Sequence, residues 1–123
     1  MENRKLMEIY LENQELVFST WYEKTVSKEI GIEDGELTGA IPSLEDIINK
    51  FKKWCSDNVK ILKKCICVDF NYPEKKKVIK NTVDLAMLLI PFIEKEIDFP
   101  YEVAAMIILL GCDKLCAEIE QSE

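Results

Sequence analysis

The stretch 43–66, SLEDIINKFKKWCSDNVKILKKCI, decides the fold class. Leu44, Ile47, Ile48, Phe51, Trp54, Cys55, Leu62, Cys65 and Ile66 recur at the three- and four-residue spacing that puts side chains on one face of an α-helix. Ser43 stands before the run as an N-cap, and Glu45 and Asp46 fill the first turn, where the helix dipole favours anions. A long helix with one apolar face must bury that face against other helices, so an all-α architecture is the expectation.

The flanking sequence extends the same pattern. From Glu2 to Ile30 two adjacent apolar rows run at helical spacing, Leu6, Tyr10, Val17, Trp21 and Met7, Leu11, Phe18, Tyr22, Val26. The polar run at residues 12–15 interrupts them and predicts a bend or a split. Residues 31–42, GIEDGELTGAIP, hold three of the four glycines and read as the one substantial loop. Beyond Asn71-Tyr72-Pro73 a third helix carries the seam Ile79, Val83, Ala86, Ile90, Ile93, Ile97, with a kink or break expected near Ile90 because Pro91 lacks an N–H. Asp98-Phe99-Pro100 starts a fourth helix, read to about Ile119 and apolar all round in its middle, so it is placed at the centre. The expected fold is a single helical domain over residues 1–123: a bundle of four helices, or five if Pro91 or residues 12–15 break one.

Composition narrows the function classes. With 48% apolar and 32% charged residues and only four glycines and four prolines, the chain is too apolar for disorder and too poor in turn residues for an all-β fold. The longest apolar run, Val103 to Leu110, is eight residues, against about 20 for a membrane span. The N-terminus is charged and lacks an apolar signal core, so a cytoplasmic location is expected. In that compartment five cysteines should stay reduced, and no disulfide is expected. The chain has no histidine, which removes Ser-His-Asp and Cys-His chemistry, and no glycine-rich phosphate loop. Neither enzyme activity nor a cofactor is expected, and no small-molecule substrate is evident.

Two groups of residues invite a metal reading. Cys65-Ile66-Cys67 and Cys112 with Cys116 lack the spacing of zinc knuckles, and Cys55, Cys65, Cys112 and Cys116 sit on or beside apolar faces, as buried cysteines do. The loop from Asp34 to Glu45 resembles a degenerate EF-hand calcium loop, with Asp34 first, Gly39 sixth, Ile41 eighth and Glu45 last. Glu36 is long for the third position, Thr38 is a poor fifth ligand, and Pro42 occupies the ninth. The resemblance implies a calcium-like metal-ion site, and a metal-binding helical domain is one alternative function.

The charge pattern carries the functional expectation. Residues 50–80 hold ten of the sixteen cations and three of the 23 anions, a local charge of +7 within a chain of net −7. At 100° per residue Lys53, Lys60, Lys63 and Lys64 fall opposite the apolar stripe as a solvent-facing ridge, while Lys75, Lys76 and Lys77 crowd the start of the third helix. Lysine without interleaved arginine or exposed aromatics is a weak nucleic-acid surface, so a weak nucleic-acid binder is the other alternative. The expected function is a non-catalytic cytosolic protein–protein interaction module of adaptor, immunity or inhibitor type. Those seven lysines would meet acidic surfaces on a partner protein or on a second copy by self-association.

Overall fold

Short polar side chains decide where these helices stop. In the computed structural model, which describes residues 2–30, 42–111 and 115–116, the chain is all-helical, and no strand occurs among the described residues. The elements are α1 (Glu2–Glu12), α2 (Gln14–Ile30), α3 (Leu44–Asp57), α4 (Val59–Leu62), a π-helical segment (Lys63–Asp69), α5 (Tyr72–Val78), α6 (Thr82–Glu94) and α7 (Pro100–Leu110). Among the described residues seven α-helices replace the four or five expected; the polar run at 12–15 does split the first helix, and further breaks at Asn58 and Asn81 make up the rest of the difference.

Asn13 splits the first helix inside the polar run: its N–H donates to the Tyr10 carbonyl, and its side-chain oxygen accepts from the Leu16 N–H at 3.1 Å, capping α2. Asn58 ends α3, its side-chain amide donating to the Trp54 carbonyl at 2.8 Å. The chain resumes in α4 and then winds more loosely, closing on a Phe70 N–H to Cys65 carbonyl bond. Asn71 takes a left-handed conformation, φ 60°, which a short polar side chain tolerates, and turns the chain into α5. Asn81 caps α6 by accepting from the Asp84 N–H at 3.0 Å. The expected third helix is therefore cut at residues 79–81.

Pro91, where a kink or break was expected, lies within a continuous α6. It is exposed, so water can serve the Met87 carbonyl that has lost its helical partner. The last helix stops at Gly111, well short of Ile119. Gly111 adopts φ +104°, open to glycine at no steric cost, and its N–H bonds the Ile107 carbonyl. Ser43 caps α3 as read, accepting from the Asp46 N–H at 3.1 Å.

The core gathers around α7, which packs against α1, α2 and α6, with Val103 to Ile107 all buried. Helix α3 lies on α2, joining Phe18, Trp21, Phe51 and Trp54 in one aromatic cluster with ring centroids 5.0–6.2 Å apart. The π segment lies on α6, contributing Cys65 and Ile66 to the core, with Phe70 just beyond it against Phe92. A fully buried aliphatic or aromatic side chain contributes roughly 1.5–3 kcal/mol, so these faces carry most of the stability.

Among the described residues one buried side chain is charged. Glu102, 2% exposed in the first turn of α7, accepts from the Tyr10 hydroxyl at 2.7 Å and from the Lys24 ammonium at 2.8 Å, tying α1, α2 and α7 together. Burial and the Glu102 carboxylate together hold the Tyr10 phenol far above its ordinary pKa. Glu102→Ala should cost about 2–3 kcal/mol, less than the full penalty of breaking a buried ion pair because the half-exposed Lys24 can rehydrate. Tyr10→Phe should cost about 1 kcal/mol. Urea unfolding of the two variants measures both, and their order is the test: a larger loss from Tyr10→Phe would contradict the charged centre.

Candidate interaction surfaces

The basic stretch is distributed over four elements rather than one helix face. Lys53 is on α3, exposed, 3.3 Å from Asp57. Lys60, exposed, is on α4, and half-buried Lys63 and exposed Lys64 are on the π segment. The interruption at Asn58 and the wider winding after Leu62 end the 100° phase that had aligned these lysines with Lys53. Lys64 bonds Asp69 at 2.9 Å, and that bond raises the ammonium pKa above its ordinary value.

Lys75, Lys76 and Lys77 stand in the last turn of α5, not the first turn of a long helix, because α5 is only seven residues. The helix dipole favours cations at that end and would oppose them at a helix start, so their placement brings a small gain. Lys75 donates to the Phe70 carbonyl at 3.1 Å and lies over its ring, Lys76 lies over the Tyr72 ring, and Lys77 pairs with Glu74 at 3.3 Å. Of the seven lysines singled out, the structure brings Lys76 to a concave surface: an apolar groove of about 600 Å³ between α1, α5, α6 and α7. Its walls include Leu11, Ile79, Leu85, Ile108 and Leu109, and Lys80 and Lys76 stand at its edge. Lys80 was not singled out in the sequence, since its position depends on the turn at residues 79–81. Lys53 lines a separate surface hollow with Tyr22, Pro42 and Asp46.

A second cleft, of about 220 Å³, opens where α2, α3 and the turn after α6 meet. Trp21, Trp54 and Phe99 supply rings, and Glu96 and Asp98 supply carboxylates on exposed residues. Phe99 adopts φ 57°, a left-handed conformation that costs a bulky residue about 1–3 kcal/mol. Its carbonyl accepts from the Val103 N–H in the first turn of α7, and Lys24 lies 5.8 Å from its ring centre. Nothing in the sequence linked these residues, which come from three separated segments.

The cysteines depart from expectation. Cys67 and Cys116 form a disulfide across 49 positions, with Cα atoms 5.4 Å apart. Helix α7 ends at Gly111, and Cys116, in the helical pair that follows, is bonded to the π segment; spacing along the chain does not reveal such convergence. Cys55 and Cys65 are free thiols, and burial pushes Cys55 up to about 12. Burial first, then the Glu96 and Asp69 charges, raises Cys65. Among the described residues no three cysteines or carboxylates gather into a metal site. Asp34, Glu36, Thr38, Gly39 and Ile41 of the calcium-loop reading, and Cys112, lie outside the described residues.

No family model, curated protein or solved structure matches the chain. The surfaces themselves must carry the functional argument.

Reducing the Cys67–Cys116 bond should lower stability by about 2–4 kcal/mol, the usual effect of opening a loop of this size. Urea midpoints with and without a phosphine reductant measure it, and identical midpoints would mean that the bond does not constrain the fold. At pH 8 a thiol with pKa near 12 holds about a thousandth of the thiolate of one at 9. Iodoacetamide should therefore label Cys55 at least about tenfold more slowly in the native chain than in urea, since higher nucleophilicity of the thiolate offsets part of its lower fraction; peptide mass mapping reads the difference.

Proposed function

We propose that the protein is a non-catalytic interaction module whose basic surface receives an acidic, partly apolar segment of a partner protein. The observation that supports this best is the apolar groove edged by Lys76 and Lys80, where side chains of a partner could be buried while its carboxylates meet ammonium groups. The exposed Lys53, Lys60, Lys64 and Lys77, with Lys63 and Lys75 beside them, extend the positive field and would speed and orient the encounter. Self-association through the acidic segments of a second copy is the variant of the same reading in which the partner is the chain itself.

The basic stretch contains no arginine to read base edges, which favours a protein partner over the nucleic-acid alternative. No described helix is long and apolar enough to cross a membrane. The Cys67–Cys116 bond departs from the reduced thiols expected of a cytoplasmic protein.

The test uses a labelled amphipathic peptide with glutamates on one face and leucines on the other, followed by fluorescence anisotropy, with light scattering of the protein alone at about 50 and 500 mM salt. Peptide affinity should fall with salt and drop at least about tenfold in Lys76→Glu/Lys80→Glu, while Lys53→Glu/Lys60→Glu/Lys64→Glu should mainly slow association. Salt-sensitive oligomers would identify the partner as a second copy. A salt-independent monomer that ignores the peptide would refute the reading.

A further inference from the structure

Two walls of the basic groove are joined by a covalent bond that lies outside it. One wall is α5, which supplies Tyr72 and Lys76, and another is the end of α7, which supplies Ile108 and Leu109. Cys67 lies in the π segment that leads through Asn71 into α5, and Cys116 follows the end of α7 at Gly111. Their disulfide therefore ties the segment that carries one wall to the chain that continues from the other. Helix α5 depends on such a restraint. Its seven residues fall short of the about 12–15 at which an isolated helix becomes stable in water, and it packs chiefly on the π segment. That segment is itself wound more loosely than an α-helix, a form that is rare and recurs at functional sites.

We propose that the Cys67–Cys116 bond is a redox latch on this groove, holding the α5 wall in its binding shape until a dithiol opens it and lowers affinity for the acidic partner. The chemistry is a two-electron exchange. Cys67 is half-buried and Cys116 is 3% exposed, so a reductant thiolate meets the Cys67 sulfur, forms a mixed disulfide with it and expels the Cys116 thiolate, which takes a proton. The second thiol of the reductant then displaces Cys67, which is protonated on release, and the reductant leaves as its own cyclic disulfide. Cys55 and Cys65 do not compete for the bond, because burial holds both thiols protonated. The latch presupposes the groove of the proposed function, yet the hold on α5 can be read without any partner, so the two fail separately.

The test compares the oxidised protein, the same protein in excess dithiothreitol, and Cys67→Ser/Cys116→Ser, by hydrogen exchange with mass spectrometry and by peptide anisotropy. Opening the bond should speed amide exchange in α5 and the π segment at least about tenfold, while α2 and α3 change by less than about twofold. Emission from Trp21 and Trp54, which do not line the groove, reports that the fold survives. Affinity for the glutamate–leucine peptide should fall at least about fivefold on reduction and return on reoxidation. The double variant should match the reduced protein and ignore dithiothreitol, whereas Cys55→Ser should respond as the unsubstituted chain does. Unchanged exchange in α5, an equal rise in α2 and α3, or a measurable peptide affinity unaffected by reduction would each overturn the latch. An oxidised protein that ignores the peptide would refute the proposed function instead, and the exchange pattern alone would then decide for or against the latch.

Discussion

The architecture depends on one buried carboxylate. Glu102 sits in the first turn of the most buried helix, where an unpartnered charge would be prohibitive, and it is tolerated because Tyr10 and Lys24 reach it from two other helices. The apolar faces that surround it are interchangeable in kind, since hydrophobic burial is non-directional and many registers would bury similar area. The Glu102 contacts are directional, so they constrain how α1, α2 and α7 sit against one another. The same contact positions Lys24 over Phe99, and through it links the core to the turn that forms the aromatic cleft. Specificity of packing here comes from a polar centre inside an apolar one.

Helix class and core faces were legible in the sequence, while helix ends were not. On the apolar stripes Met7, Tyr10, Val17, Phe18, Phe51, Ala86, Ile90 and Ile93 are buried as their period requires. Periodicity persists across breaks, because a chain can stop and restart a helix while still facing one core. It therefore reads α3, α4 and the π segment as one element, and α5 with α6 as another. Asparagine makes those breaks by offering the backbone a competing hydrogen bond, yet Asn49 stays inside α3 while Asn58 ends it. Residue type alone cannot separate the two. The Asn81-Thr82-Val83-Asp84 run did carry a readable cap, since its Asn side chain lies three residues before the N–H it accepts.

The surfaces were legible only in part, for the same reason. The lysine-rich block identifies itself by composition, but its division among α3, α4, the π segment and α5 depends on those unread breaks. With α5 cut short, Lys75 to Lys77 stand at the favourable end of a helix dipole rather than at the unfavourable start of a long helix. The aromatic cleft needs Trp21, Trp54 and the Glu96 to Phe99 turn together, and the pairing of Cys67 with Cys116 needs two segments 49 positions apart. Long-range convergence leaves no local signature.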